Sequence, residues 1–251
     1  MDGPSPLTLQ PALSAKEKRL AALLAERSVA EADLWRPVRA AQIAGSLALS
    51  GIEADALAVE AGLRGEPMAG PVKAALGAYD AVPPAAPLSL KALLAWQGAF
   101  TGGLGALRQT PCARSEGPPS SPPEWIETRL QVLLEWLAAG SAQELTPGQR
   151  GALALARLVE IAPFEKGNGR VARLASSHLM VQGGARPPVL LGSDGPRMRA
   201  ALQAAFRIDT APLVLLLREA SERALDLMLA AARSEPTREP RPGPKPEDAA
   251  C

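Results

Sequence analysis

Between residues 14 and 233 apolar positions recur mostly at spacings of three and four, the period of a helix with one buried stripe. The pattern predicts helices in "SAKEKRLAALLAERS" from Ser14, "AEADLWRPVRAAQIAGSLALS" ending at Ser50 and "EADALAVEAGL" from Glu53. It continues in "SLKALLAWQGAF" from Ser89, "PPEWIETRLQVLLEWLAA" from Pro122, "TPGQRGALALARLVEI" from Thr146, "PRMRAALQAAF" from Pro196 and "APLVLLLREASERALDLMLAAA" from Ala211. Several of these open on a Ser, Thr or Asp cap or on a proline in the first turn, the usual start signals. Pro37 falls inside the second segment and predicts a kink or break there. Residues 1–13 and the tail from Ser234 to Cys251 are Pro-rich without periodicity and are expected to be disordered. Residues 102–123 form the one long non-helical interruption, with room for at most a short hairpin. Trp96, Trp125 and Trp136 sit on helical patterns and are expected in the core, with Gln97 as a polar packing residue. The expected architecture is all-α, with one loop or hairpin lying over it.

Composition supports that class. Apolar residues make up 47% of the 251 and aromatics 3%, and the chain is poor in the residues that favour sheets. Lys and Arg number 27 against 26 Asp and Glu, so no global charge draws the protein to nucleic acid or to an anionic membrane. Any anion site must be local. Cys112 and Cys251 are the only cysteines, which leaves no disulfide framework and no zinc cluster. No apolar run approaches the ~18 residues of a membrane span, and the first residues lack a signal-peptide layout, so a soluble cytoplasmic protein is expected.

The chemistry gathers in "IAPFEKGNGRVARL", residues 161–174. The helix from Thr146 to Ile161 must stop at Ala162-Pro163, and Gly167-Asn168-Gly169 permits the positive φ angles of a tight turn. Val171, Leu174, Ala175 and Met180 then recur at helical spacing until Gly183-Gly184. The turn therefore stands at a helix N-terminus, where unpaired N–H groups and the positive end of the dipole favour an anion. Arg170 and Arg173, about 60° apart around that helix, can grip a polyphosphate, while Phe164 is expected to anchor the loop. On the Gly-Asn-Gly turn alone, an ordinary helix-loop-helix connection fits as well. His178, the only histidine, shares the apolar face of Leu174 and Val171 and is expected to be a core residue.

Residues 162–173, "APFEKGNGRVAR", resemble the HPFx[D/E]GNGRxxR signature of the Fic (Fido) family, whose protein adenylyltransferases move AMP from ATP to a target hydroxyl. "LSGIEAD", residues 49–55, resembles the family's inhibitory-helix motif [S/T]xxxE[G/N], and the order of the remaining segments follows the family over roughly residues 45–232. The resemblance implies a Fido fold: a helical bundle with a short β-hairpin flap over the active-site loop. It divides the chain into an N-terminal helical region, 14–85, and a Fic core, 86–233. It implies a nucleotide, ATP first, held by Gly167, Asn168, Gly169, Arg170 and Arg173, with Asn168 and Arg170 orienting the donor and Arg173 on the terminal phosphate. Glu53 would pair with Arg173 and close the site. A protein target would dock near residues 102–123 by strand pairing, which Pro111 cannot support with a donor.

The departures bear on chemistry. Where the family has its proton-accepting histidine the chain has Ala162, and the loss of a general base costs ~10²–10⁴ in rate. Lys166 replaces the acidic residue that helps bind Mg²⁺, which argues against the usual metal site, and Glu165 beside it is displaced by one residue in a tight turn. Lys166 can instead neutralise phosphate directly. The inhibitory motif also departs, with Leu49 and Ala54 at two of its positions. Two readings follow: a degenerate Fic protein that holds nucleotide without ordinary AMP transfer, as a pseudoenzyme or regulatory module, or an active transferase of a phosphate-containing group with an altered mechanism.

Overall fold

The computed structural model describes residues 6–27, 34–68, 70–112 and 118–234. Among the described residues eleven α-helices follow one another: α1 (Pro6–Arg27), α2 (Trp35–Ala48), α3 (Ala56–Leu63), α4 (Gly70–Asp80), α5 (Leu90–Thr101), α6 (Ile126–Ala138), α7 (Gly140–Gln143), α8 (Pro147–Ile161), α9 (Asn168–Gln182), α10 (Gly195–Phe206) and α11 (Ala211–Ser234). No strand occurs among the described residues, so the all-α expectation holds, while the hairpin over the loop is not seen there.

The main core is built from α2, α5, α6, α8, α9 and the first half of α11, with Trp96, Phe164, Leu93, Leu155 and Leu158 essentially sealed from solvent. A smaller cluster joins α1, the start of α2 and the second half of α11 through Leu20, Leu34, Val38, Leu225 and Met228. α8 carries the site. Pro147 begins it, and a reciprocal capping box between Thr146 and Gln149 fixes its N-terminus. Its buried residues, Ala154, Leu155, Leu158 and Ile161 among them, lie against α9, its most extensive partner.

Several sequence expectations are corrected. Residues 6–13 of the segment expected to be disordered belong to α1, where Leu13 packs on the smaller core and Pro6 takes the first helical position. The remaining residues of the two segments, 1–5 and 235–251, lie outside the described residues. Pro37 causes no kink, because α2 starts at Trp35 and the proline falls in a first turn whose N–H groups have no intrahelical partner in any case. α4 was not predicted, although Gly70-Pro71 precedes Val72, Ala75 and Tyr79 at helical spacing. Trp96 is in the core as expected, but Trp125 is 55% exposed and Trp136 is 37% exposed. The first lies on a 3₁₀ turn ahead of α6, and the second flanks the Leu130–Leu133–Leu137 stripe that α6 buries.

One close approach sets where α2 sits. A Cβ on Gly45 would lie 1.6 Å from the carbonyl oxygen of Leu190. The 189–190 backbone cannot withdraw, since Val189 donates its N–H to Ala220 at 2.9 Å and receives the Arg223 Nε–H at 2.8 Å. Gly45→Ala is therefore expected to destabilise the protein by about 3 kcal/mol, the upper range for overpacking, seen as a lower urea midpoint with an unchanged slope. A loss within about 0.5 kcal/mol, the range of ordinary surface substitutions, would contradict this packing.

Candidate functional site

α8 ends at Ala162, which adopts the left-handed conformation (φ 49°, ψ 64°) and is 2% exposed. Pro163 cannot extend the helix, and Phe164, fully buried, pins the chain beneath the loop. Gly167, at φ 87°, reverses the backbone into α9, so of the expected Gly-Asn-Gly turn only the first residue needs a positive φ. Asn168 and Gly169 are already helical. The Asn168 amide staples the loop from both sides: its Oδ1 accepts from the Phe164 N–H at 2.9 Å, and its Nδ2 donates to the Phe164 carbonyl at 2.6 Å. Both ends of that side chain are thus engaged in holding the loop, and Asn168 acts as a positioning residue. The first N–H groups of α9 have no intrahelical acceptor, and no acidic residue occupies its first turn.

Three cations surround this N-terminus. Lys166 is exposed on the loop. The Arg170 guanidinium lies 4.9 Å from the centre of the Phe100 ring, at the end of α5. Arg173 turns the other way, towards the C-terminus of α2, where its Nε donates to Ser46 Oγ at 3.1 Å and its Nη2 donates to the Ser46 carbonyl at 2.7 Å and to Ser50 Oγ at 2.8 Å. Burial pushes the Arg173 pKa down to about 10, helped by the Arg170 charge and opposed by Tyr79; burial also lowers that of Arg170. The space that lets Arg173 cross the helix is provided by Gly169, whose Cβ would stand 3.1 Å from Nη1.

Glu53 does not pair with Arg173. α2 ends at Ala48, the turn at Leu49–Gly51 carries the chain away, and Glu53 is exposed, making no ion pair or hydrogen bond among the described residues. It is not the cap of α3 either, since Asp55 fills that place by accepting from Leu57 N–H at 3.2 Å. The residues that meet Arg173 are Ser46 and Ser50, the latter three residues before Glu53, where the resemblance implies a carboxylate. Neutral hydroxyls replace a carboxylate, and the charge of Arg173 is uncompensated within the site.

Arg108 was missed in the sequence and closes the other side. It is 1% exposed and bonded only to carbonyls: Nε donates to Ala162 at 2.6 Å, Nη1 to Thr110 at 2.6 Å, and Nη2 to Ser121 and, at 3.4 Å, to Ile161. Its own N–H donates to the Pro163 carbonyl at 2.9 Å. The long loop is thereby tied to the end of α8 through one side chain. Nothing in the sequence marks it, since an arginine among glycines and prolines looks like any surface cation.

The residues present do not fit a divalent metal on bound phosphate. Lys166 occupies the acidic position, and the adjacent carboxylate, Glu165, accepts from Thr110 Oγ1 at 2.7 Å. His178 lies on the buried side of α9 as expected, its Nε2 2.7 Å from the Ala86 carbonyl and its ring edge-on to Trp96 at 5.4 Å, and burial lowers its pKa. Gln97 is buried and accepts from the Ala106 N–H at 3.4 Å, the polar packing role expected of it.

The Fic/DOC family model matches residues 87–180, which run from the approach to α5 into α9. Protein adenylyltransferase fic-1 of Caenorhabditis elegans is 30% identical over 112 residues, covering 45% of this chain and 22% of the relative. Protein adenylyltransferase Fic of Nematostella vectensis is 30% identical over 132 residues, 53% of this chain and 31% of the relative. The chain thus spans less than a third of these curated relatives. Among solved structures, a Fic-1 fragment from C. elegans superposes with a TM-score of 0.70 at 22% identity, covering 90% of this chain and 75% of that one. A Fic domain containing signaling protein from Bacteroides thetaiotaomicron superposes with a TM-score of 0.70 at 21% identity, covering 88% and 98%. Residues 87–180 thus match the Fic/DOC family, and the helical fold of the chain is that of solved Fic proteins.

Proposed function

We propose that the protein is a nucleotide-binding member of the Fic family that has lost ordinary AMP transfer and works as a pseudoenzyme or regulatory module. The observation that carries this reading is the methyl group of Ala162 where a proton acceptor would stand. Three candidate groups do not replace it: Glu160 is paired with Arg157 at 2.5 Å, Glu165 is bonded to Thr110, and His178 lies about 12 Å along α9 from Arg170, held on Ala86. A hydroxyl nucleophile brought to this site meets no base.

The anion-binding half stands ready. The free N–H groups of Gly169 and Arg170 and the α9 dipole face the loop, and Lys166, Arg170 and Arg173 add three positive charges. ATP is the nucleotide this reading favours, its phosphates on the α9 N-terminus and its terminal phosphate on Arg173. Lys166 supplies the neutralising charge that a metal would otherwise bring. Ser46 and Ser50 hold the Arg173 guanidinium in place without cancelling its charge, so the site lacks a built-in carboxylate to compete with phosphate.

The second reading, a transferase that shuttles its proton by substrate or solvent, differs in one measurement. With ATP labelled in its α-phosphate, the native protein is expected to label neither itself nor added protein, with or without Mg²⁺. Ala162→His combined with Lys166→Asp is expected to gain transfer by at least about 10²-fold, the low end of what a general base contributes. Transfer by the native protein at the rate of the double variant would favour the altered-mechanism enzyme instead.

Binding itself separates the cations from the latch. ATP affinity measured by calorimetry in excess EDTA is expected to match that in Mg²⁺ within about threefold, and Arg173→Ala to weaken it by about tenfold, equivalent to about 1.4 kcal/mol. Ser50→Glu, which places a carboxylate against the same guanidinium, is expected to weaken it by a similar factor. Unchanged affinity in Ser50→Glu would mean that Arg173 does not contact the nucleotide.

A further inference from the structure

Aromatic residues are scarce in this chain: four tryptophans, one tyrosine and three phenylalanines. Two of those tryptophans, the single tyrosine and the single histidine nevertheless line one pocket, together with Gln42 and Ser177. The pocket, about 350 Å³, opens between α2, α4, α5 and α9, about two to four turns along α9 from the phosphate loop. That volume lies in the range of small-molecule sites, which are mostly apolar with a few polar groups. Trp96, 1% exposed, forms its inner wall, while Trp35 and Tyr79 are half-buried at its sides. α9 contributes Leu174, Ser177, His178 and Val181, the spacing of one helical face.

Charge narrows what the pocket could take. No lining residue is a carboxylate. Behind the Tyr79 ring stands the Arg39 guanidinium, 5.9 Å from its centre, and behind Trp35 the Arg186 guanidinium at 5.6 Å. Asp80 and Glu17 pair with these two arginines, but Arg39 keeps a buried Nε without a hydrogen-bond acceptor. Arg173, which has no carboxylate partner, acts on the Tyr79 hydroxyl, whose pKa burial pushes up to about 12 against the pull of Arg173 and Arg39. The surroundings therefore combine ring faces with a net positive charge supplied by arginines that stand outside the lining. An aromatic ring can stack there, and an anionic group is favoured over a cationic one.

We propose that this pocket is a second ligand site, distinct from the phosphate loop, for a planar aromatic carboxylate. The inference does not depend on nucleotide binding or on transfer activity. The probes are naphthalene-2-carboxylate and its cationic counterpart 2-naphthylmethylammonium, titrated into the full chain and followed by the indole N–H signals of its tryptophans. The carboxylate is expected to shift the Trp35 and Trp96 signals saturably while those of Trp125 and Trp136, which lie outside the pocket, stay in place. The ammonium probe is expected to bind at least about tenfold more weakly. Val181→Phe, which adds a ring at the pocket wall, is expected to lower carboxylate affinity by at least tenfold, and Arg39→Met to abolish the preference for the anion. Should Val181→Phe not fold, the tryptophan shifts in the native protein decide alone. No saturable shift at millimolar probe, shifts spread equally over all four tryptophans, or equal binding of the two probes would each overturn the proposal.

Discussion

A guanidinium sealed from water must find every hydrogen bond it needs inside the protein, and Arg108 finds them without a carboxylate. Its acceptors are the carbonyls of Ile161 and Ala162, at the end of α8, and those of Thr110 and Ser121, eleven residues apart in the long loop. The last carbonyls of a helix lack intrahelical donors and carry the negative end of its dipole. One side chain thus meets two demands, a buried charge that needs acceptors and a helix end that needs donors. The consequence reaches the whole site. Residues 161–163 cannot shift without stranding Arg108, so Ala162 is held in its left-handed conformation, and Phe164 and the turn at Gly167 follow from where Ala162 points the chain.

From that anchor the loop passes its order to α9. Asn168 fixes the loop to the helix start, and the helix start presents Arg170 and Arg173 in opposite directions, one over Phe100 and one to the end of α2. Burying a guanidinium is costly, and the neighbouring charge of Arg170 adds to the burial that lowers the pKa of Arg173. A carboxylate at Ser50 would relieve that cost. The chain instead uses two hydroxyls and a carbonyl, each of which orients the guanidinium and leaves its charge to whatever anion arrives.

The parts of this arrangement that depend on local chemistry were legible in the sequence. Pro163 and Gly167 punctuate the loop, Thr146 and Pro147 open α8, and Val171, Leu174 and Met180 give α9 its buried face. The parts that depend on tertiary distance were not. Whether Ser50 or Glu53 reaches Arg173 turns on where α2 stops, and the charged residue attracts attention that the two serines do not. Arg108 is read as a surface cation until the carbonyls around it are in view. Trp125 and Trp136 lie at the edges of the α6 stripe, where periodicity alone does not distinguish a buried position from its neighbour. The family resemblance supplied the fold and the loop together, while Glu53, which it set against Arg173, is exposed and the guanidinium is met by Ser46 and Ser50.

Ala162 carries a conformational cost. A residue with a β-carbon in the left-handed region costs roughly 1 kcal/mol relative to glycine, which would serve any purely conformational role at lower cost. Glycine stands at the reversals after α5 and before α9, at Gly102 and Gly167, while the exposed Ile208, just past α10, takes φ 72° with a β-carbon as well. Such strain persists where surrounding contacts over-determine the backbone, and here those contacts are the Arg108 bond to the Ala162 carbonyl and the Pro163 that follows. The backbone at 162 is thus set by tertiary contacts and not by the residue's own preference. The same contacts place the Gly167 turn, and with it the α9 N-terminus and the cations Lys166, Arg170 and Arg173, on which the nucleotide-binding proposal rests.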